Sequence, residues 1–401
     1  MTLLKKITKK AIKFILVCVC TFLFLIPKLI LRILNDRVIN IRFLKNMNTA
    51  RIGHLCAEPD CYIKEELLGL HPKYFTIAFA PKNTVANAYL LKYWSQYIKF
   101  ITNPYLCRIL KRFMSYPSLE YDVQRYCVAI NKTADIVKIQ TLWCDCAPLL
   151  KIKSEDILRG ENYLKKMGLP SGAWYVCVHS REGGYSPSDE HWHSFRNSEI
   201  ESYFQAMKEI VKRGGWCIRM GDPSSRKLPA MDNVIDYAHS VYRAEWLDIY
   251  IAARCKYFLG SCSGAFGISS VFGVPVALAN MAPLSVTLPH GVKDVGIPKL
   301  MRMMSSGKML TFNEIFSSPV GNARHTEIFE REGVELLDNT PEDILDLSLE
   351  QLERVNGTIQ YTEEDENLQN KFKSLMRPGH YTYGSASRIG RGFLRKYRHL
   401  L

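Results

Sequence analysis

Several patterns that commonly indicate a function are missing from these 401 residues. The twelve cysteines include no C-x-x-C pair and no regular spacing, so the sequence predicts neither a zinc cage nor a secreted disulfide framework and fits a reducing compartment. Cys144-Asp-Cys146 is the nearest approach to a metal pair, but it has one intervening residue and no matching histidine cluster. No Asp-x-Asp motif, internal repeat or low-complexity tract occurs. We therefore expect no metal site.

Acidic residues are fewer than basic ones, with 39 Asp and Glu against 53 Lys and Arg and a formal net charge of +14. This excess fits an anionic partner, which could be nucleic acid, an acidic membrane surface or a phosphorylated substrate. Much of the excess lies near the two ends of the chain, and no RNA-recognition, KH or zinc-finger pattern is present. We therefore expect no nucleic-acid partner.

A long apolar run is also missing. Residues 14–26 carry no charge, but at about 1.5 Å per residue they are too short to cross a ~30 Å hydrocarbon core unless flanking lysines snorkel. Basic residues lie on both sides of this run: Lys5, Lys6, Lys9, Lys10 and Lys13 before it, and Arg37, Arg42 and Lys45 after it. We predict residues 1–47 as a basic, hydrophobic membrane-anchor helix lying in an anionic membrane surface, at the cytoplasmic face of the inner membrane.

Three alternatives remain for this segment and for the location of the protein. The segment could be a single membrane span or a signal peptide. A eukaryotic Golgi location is the third, in which Asn131-Lys-Thr133 and Asn356-Gly-Thr358 would be glycan acceptors.

The remaining chain reads as an α/β domain at residues 48–165, a second at 166–340, and a helical tail at 341–401 whose basic end is predicted to be solvated. In the second domain, buried strands are predicted at residues 174–179, 216–220, 233–237, 257–260 and 274–278, with helices at 246–253 and 264–272. A further helix should begin near Ser198, because Ser198 and Glu201 have the spacing of a capping box. Strands that alternate with helices predict a doubly wound parallel sheet.

The turns that follow these strands hold the candidate site, because an open α/β sheet binds ligands at the carboxyl ends of its strands. The first turn carries His179 and Arg181, and an arginine there can clamp a phosphate through its planar fork of donors. Its loop ends at Arg196, a second phosphate candidate. The loop also supplies groups suited to proton transfer, and the catalytic candidates are Asp189, Glu190 and His191. The alternative is a surface loop with Arg181 in an ion pair.

The second turn contains Arg219, Gly221 and Asp222. An arginine inside an apolar strand needs a partner when it is buried, and Asp222 or a ligand phosphate could supply one. Alternatively, Asp222 only starts a turn, because Asp-Pro followed by Ser-Ser is good turn chemistry.

The third turn contains Ser261, Ser263 and Gly264, between a strand and a helix. Backbone N–H groups and hydroxyls at such a helix start favour an anion, and a glycine lets the backbone approach a diphosphate closely. The turn is too short for a Walker A loop and lacks the G-x-G-x-x-G fingerprint. It also matches a nucleophile elbow centred on Cys262, for which an acid and a histidine could come from His290, Asp294 and His325.

Taken together, several segments resemble a family of bacterial surface-polysaccharide glycosyltransferases. The segments are Arg51-Ile-Gly-His-Leu55, His179-x-Arg181, Arg196-Asn197, Gly215-Trp-Cys-Ile-Arg-Met-Gly-Asp-Pro223, Gly260-x-x-Ser-Gly264 and Phe272-Gly-Val-Pro275. The His-x-Arg element is also similar to the phosphate-binding motif of fucosyltransferase-like enzymes, which implies that Arg181 binds the β-phosphate of the nucleotide. Glu182-Gly183-Gly184 stand where that motif carries a second basic residue and an acid. The resemblance implies the GT-B fold, in which two Rossmann-like domains face each other across a cleft and the second binds the nucleotide.

These features lead us to expect a membrane-associated glycosyltransferase that moves a sugar from a nucleotide-sugar donor to a growing, lipid-linked surface glycan. Arg181 and the Ser263-Gly264 helix start would neutralise the leaving diphosphate without a metal or cofactor, and the nucleotide sugar is a co-substrate. An inverting enzyme would take its base from the loop, whereas a retaining enzyme would have none. The alternatives are a nucleotide-sugar epimerase of the same fold and a non-catalytic glycan-assembly or glycan-binding protein.

Overall fold

The computed structural model describes Leu25, Leu29 and residues 40–113, 117–127, 135–143, 146–285 and 291–401. Most of the predicted anchor at residues 1–47 therefore lies outside the described residues. Within the described ranges, no helix is both long enough and apolar enough to span a bilayer.

The first sheet has four short parallel strands in the order β3-β2-β1-β4. They are β1 (Ile41–Lys45), β2 (Phe75–Phe79), β3 (Lys99–Ile101) and β4 (Glu120–Asp122). Because side chains alternate along a strand, Phe43 packs on one face of this sheet and Leu44 joins the main core on the other. The helices of this half are α1 (Ile52–Leu67), α2 (Ala88–Trp94), α3 (Pro104–Phe113) and α4 (Asp135–Leu142), and α5 (Ser154–Lys166) leads into the second half.

The second sheet has seven strands, all parallel, in the order β13-β10-β9-β8-β5-β6-β7. Five of them correspond to predicted strands: β5 (Tyr175–His179), β6 (Trp216–Arg219), β7 (Val234–Asp236), β8 (Phe258–Ser261) and β9 (Val276–Met281), the last lying slightly further along the chain than predicted. β10 (Val295–Pro298) and β13 (Arg388–Ile389) extend the sheet at one edge. The predicted parallel sheet is thus confirmed, with two strands more than the sequence indicated.

Helices cover both faces of this sheet. Tyr175 Oη and Cys177 Sγ of β5 both donate to the carbonyl of Ile251 in α8 (Glu245–Arg254), whereas Cys217 Sγ, in register with Val176, reaches the carbonyl of Met207 in α7 (Phe204–Lys212). Because neighbouring residues of a strand point to opposite faces, α7 and α8 lie on opposite sides. Two short helices of the second half are α6 (Glu190–His193) and α9 (Phe266–Val271).

The chain after β10 completes the second half. Strands β11 (Leu300–Met303) and β12 (Val334–Leu337) form a separate two-stranded antiparallel sheet. The remaining helices are α10 (Phe312–Ser317), α11 (Thr326–Arg331), α12 (Pro341–Asn356), α13 (Glu363–Ser374) and α14 (Arg391–Lys396). Capping boxes begin three of them, at Thr311, Thr340 and Thr362.

Two local predictions were wrong. Ser198 does not cap a helix, because its hydroxyl lies 3.0 Å from Ser180 Oγ and α7 begins only at Phe204, after a 3-10 turn in which Glu201 binds Arg226. The basic end of the tail is not a solvated helix throughout, because Ile389 is buried and pairs with β10. Strand β13 is too short to show the alternating pattern that reveals a strand in sequence.

The two halves touch through glycines. A Cβ on Gly264 would lie 2.7 Å from Gly53 N, and a Cβ on Gly267 would lie 3.0 Å from Cys56 Cβ. The first turn of α1 therefore packs directly on the turn between β8 and α9. A Cβ at Gly264 does not fit without a shift of the backbone, and a Cβ at Gly267 requires Cys56 to move slightly.

We expect Gly264→Ala to lower the free energy of unfolding by about 1–3 kcal/mol, the usual cost of overpacking. Urea unfolding measures this difference. Gly379→Ala is the matched control, because a Cβ there meets no atom within 4 Å. Equal stability of the two variants would show that the Gly53–Gly264 contact does not constrain the fold.

Candidate functional site

The candidate site lies where the order of strands in the large sheet reverses. From β5 the chain proceeds through β6 and β7 to one side, and then returns to place β8 on the other side of β5. A crevice forms at the carboxyl ends of the two strands that flank such a reversal. Across this crevice Arg181 N donates a hydrogen bond to Ser261 Oγ at 2.7 Å. The first and third predicted turns therefore meet, and we refer to Arg181, Ser261 and loop residues 182–197 as the β5–β8 crevice.

Arg181 is largely enclosed in this crevice, with a side chain 14% exposed. Its Nη1 donates to the carbonyl of His193 at 3.1 Å and to Asn197 Oδ1, and lies 3.7 Å from Glu190 Oε2. Burial lowers the pKa of Arg181, and the nearby Arg196 lowers it further, although a guanidinium stays charged in proteins. Among the described residues these side-chain hydrogen bonds all use Nη1. The Nε and Nη2 donors therefore remain for a ligand.

Further polar side chains lie around Arg181. The rings of His193 and His325 stack with centroids 5.8 Å apart. Burial lowers the pKa of His193 to about 4, and Arg196 and Arg181 contribute to that shift. His193 Nδ1 and Arg196 Nε are buried without a hydrogen-bond partner in the part of the chain that the structure describes. A bound anion would satisfy such donors, so the crevice is suited to a negatively charged ligand.

The three predicted catalytic side chains occupy different surroundings. Asp189 contacts Arg51 of the first half and accepts from Ser186 Oγ at 3.0 Å. Burial alone would raise the pKa of Asp189, but hydrogen bonds from Arg51 and Ser186 outweigh it and lower the pKa. Glu190 accepts from Asn197 Nδ2 beside Arg181. His191 is exposed and its ring packs on Trp192, with centroids 4.4 Å apart. Glu190 is therefore the carboxylate closest to the phosphate candidate.

In the second predicted turn, Arg219 has a different partner from the one proposed. Arg219 is fully buried and pairs with Glu182 Oε1 at 3.1 Å and Asp236 Oδ1 at 3.3 Å. Asp222 instead accepts from Ser224 N at 2.9 Å, which is the alternative of a simple turn, and Gly221 lies beside the Arg219 guanidinium. The glutamate that departs from the fucosyltransferase-like motif thus holds Arg219 in place.

His179 stabilises the same end of the sheet. Its Nδ1 lies 3.1 Å from the carbonyl of Met220 and donates to it, linking the ends of β5 and β6. Burial lowers the pKa of His179 to about 4, so its ring is neutral at physiological pH. It supports the crevice as an uncharged hydrogen-bond donor.

The third predicted turn is less open than expected. Ser263 Oγ accepts from Ala265 N at 3.2 Å, and α9 is a single short helix of six residues. The space left by Gly264 is filled by Gly53 of α1, so this glycine accommodates a helix where we had expected a diphosphate. Ser261 of this turn reaches Arg181 through its hydroxyl, which accepts from Arg181 N.

The nucleophile-elbow alternative does not gain its proposed acid. Asp294 accepts from Val276 N and Gly291 N, both at 2.8 Å, and Val276 begins β9. Cys262 directly follows the carboxyl end of β8, which is the parallel neighbour of β9. Asp294 and Cys262 therefore lie at opposite ends of these two strands. His290 lies outside the described residues. The described chain also holds no group of three His, Cys, Asp or Glu side chains arranged for a metal.

A charged pair that the sequence patterns did not identify lies in α1, the helix that packs on the turn after β8. His54 Nδ1 lies 2.6 Å from Glu58 Oε1 in α1, and the buried Glu58 also accepts from Asn48 N at 2.9 Å. Burial alone would lower the pKa of His54, but hydrogen bonds with Cys127 and Glu58 raise it to about 10. The available signal was the i,i+4 spacing of His and Glu on one helix face. His54 therefore adds a stable positive charge one residue from the Gly53–Gly264 contact.

No family model matches the sequence, and no curated protein does either. Among solved structures, the chain is similar to E. coli ADP-heptose LPS heptosyltransferase II, with 12% identity and a TM-score of 0.41 over 65% of this chain and 90% of that one. A glycosyl transferase family 9 protein from Veillonella parvula has 10% identity and a TM-score of 0.35 over 77% and 80% of the two chains. The iron-containing dodecameric glycosyltransferase TibC from enterotoxigenic E. coli has 13% identity and a TM-score of 0.35 over 61% of this chain and 58% of its own. TM-scores this low establish neither fold nor activity for this chain.

The His54–Glu58 pair predicts a dependence of stability on pH. Because the pKa of His54 is about 10 in the folded protein and 6.5 ordinarily, its contribution is complete below about pH 6.5 and is lost as the pH rises toward 10. We expect His54→Gln to reduce the alkaline decline in unfolding free energy by up to about 1.4 kcal/mol per pH unit. Urea unfolding at several pH values measures this slope. The exposed His399→Gln is the control, and parallel curves for wild type and His54→Gln would contradict the assignment.

Proposed function

We propose that this chain is a GT-B glycosyltransferase that moves a sugar from a nucleotide-sugar donor to a growing, lipid-linked glycan. The observation that carries the proposal is the enclosed Arg181 guanidinium, whose Nε and Nη2 remain for a ligand at the reversal point of the large sheet. This is the position at which doubly wound sheets bind nucleotides. The unsatisfied donors of His193 and Arg196 add to the preference for an anion.

In the proposed reaction, an acceptor hydroxyl oxygen forms a bond to the anomeric carbon of the sugar as the bond from that carbon to the β-phosphate oxygen breaks. Negative charge then develops on the departing diphosphate. Arg181, assisted by Arg196 and His193, is placed to stabilise that charge without a metal ion. The donors are already fixed by the loop, so little reorganisation is needed during the reaction.

For an inverting reaction, the acceptor proton must pass to a base. We propose Glu190, because it lies beside Arg181 and its side chain is 34% exposed. Asp189 is a weaker candidate, since Arg51 and Ser186 both engage its carboxylate, whereas Glu190 Oε2 accepts no hydrogen bond from the described residues. The part of the predicted anchor that precedes β1 would hold the enzyme at the cytoplasmic face of the inner membrane, close to a lipid-linked acceptor.

Donor binding can be tested by thermal shift with UDP, GDP, ADP, CMP and dTDP sugars. We expect one nucleotide class to stabilise the protein, and Arg181→Ala to weaken its binding by about ten- to a hundredfold, as for a lost charged hydrogen-bond pair. Arg226→Ala is the matched control, because Arg226 pairs with Glu199 and Glu201 on the surface. Binding that is equal in the wild type and the folded Arg181→Ala variant would contradict the assignment of the phosphate site.

Turnover can be tested by following release of the nucleoside diphosphate in EDTA, with and without a lipid-linked glycan acceptor. We expect acceptor-dependent release, and Glu190→Gln should lower kcat by about 10²- to 10⁴-fold, as for loss of a general base. Conversion of the donor sugar without acceptor would indicate an epimerase. Binding without turnover would indicate a non-catalytic protein, and activity restored only by a divalent metal would overturn the metal-independent scheme.

A further inference from the structure

Helix α3, on the outer face of the small sheet, exposes large apolar side chains. Tyr105 is 75% exposed, Leu106 49% and Ile109 44%. The adjoining side of the helix is packed, since Cys107 and Leu110 contact the cluster that contains Phe43 of β1. α3 is therefore held in place by one side and leaves a second apolar surface in solvent.

The arrangement around the helix axis separates this surface from the charged residues. With about 100° between successive residues, Tyr105, Ile109 and Leu106 cover one arc, and the partly buried Leu110 and the buried Cys107 cover the next. Arg108 and Lys111, both exposed, cover the arc on the other side. An exposed apolar arc bordered by basic residues is typical of a helix that lies in the interface of an anionic membrane.

The position of α3 is related to the predicted anchor. Residues Ile41–Lys45, which were predicted as part of the anchor, form β1 of the small sheet. Ile41 packs in the same cluster as Leu110 of α3. The first residue of β1 and helix α3 therefore share one face of the small sheet.

From these observations we propose that the exposed face of α3 binds an anionic lipid bilayer, as a membrane contact additional to the N-terminal segment. Tyr105, Leu106 and Ile109 enter the interface between headgroups and acyl chains, and Arg108 and Lys111 contact lipid phosphates. This contact orients the small sheet on the membrane. The inference does not depend on glycosyl transfer, because it uses no residue of the β5–β8 crevice.

The test uses the full chain with the photoreactive residue benzoylphenylalanine in place of Tyr105, illuminated with vesicles of phosphatidylglycerol and phosphatidylcholine. We expect a covalent lipid adduct by mass spectrometry, at least tenfold more abundant than with phosphatidylcholine alone. The same residue at Tyr185, an exposed tyrosine in the loop of the crevice, is the control and should give no adduct. Crosslinks to residues 1–39, to a second copy of the chain or to no partner would each overturn the proposal.

A second measurement repeats the crosslinking from position 105 in a Leu106→Ser/Ile109→Ser variant and compares the lipid adduct yield with that of the protein without these two changes. Both side chains are exposed, so the variant should fold normally, which circular dichroism checks. We expect its adduct yield at position 105 to fall about tenfold or more, because apolar area drives interfacial binding. An unchanged yield would show that α3 does not itself contact lipid.

Discussion

The backbone contact between Gly53 and Gly264 determines how the two halves of this protein meet. The nearest atoms that an added Cβ would meet are backbone atoms, Gly53 N at 2.7 Å for Gly264 and Gly264 Cα at 3.0 Å for Gly53, so a side chain at Gly264 would require a shift of α1 or of the turn after β8. Because α1 is fixed at this point, Arg51, the residue before α1, reaches Asp189 in the loop of the β5–β8 crevice. The electrostatics of the candidate site therefore depend on packing between segments that are distant in sequence.

Within the crevice, protein groups already accept some of the hydrogen bonds that Arg181 could donate to an anion. Asn197 and the carbonyl of His193 hold one nitrogen of Arg181, which fixes the guanidinium while its remaining donors are open. Buried Arg219 and neutral His179 brace the strand ends behind it through Glu182, Asp236 and the Met220 carbonyl. These supporting contacts restrict the reorganisation that charge stabilisation would otherwise require.

Local sequence patterns predicted the part of the fold in which apolar runs are long. Five strands of the large sheet were identified, and the reversal of strand order brought Arg181 and Ser261 together as expected. Arg219 pairs with Glu182 and Asp236, and Gly264 packs on Gly53. Periodicity does not reveal these contacts because they join residues far apart in the sequence, and diphosphate binding at Gly264 stays a prediction. The His54–Glu58 pair was missed for a related reason. The raised pKa of His54 depends partly on a hydrogen bond between His54 and Cys127, which are far apart in the sequence.

The most direct test of the proposal that Arg181 binds the diphosphate is a crystal structure with a nucleoside diphosphate sugar bound. We expect an oxygen of the diphosphate to lie within hydrogen-bonding distance of Arg181 Nε or Nη2, with His193 or Arg196 contacting the same group. A diphosphate bound away from the carboxyl ends of β5 and β8, with Arg181 still contacting only His193 and Asn197, would contradict it.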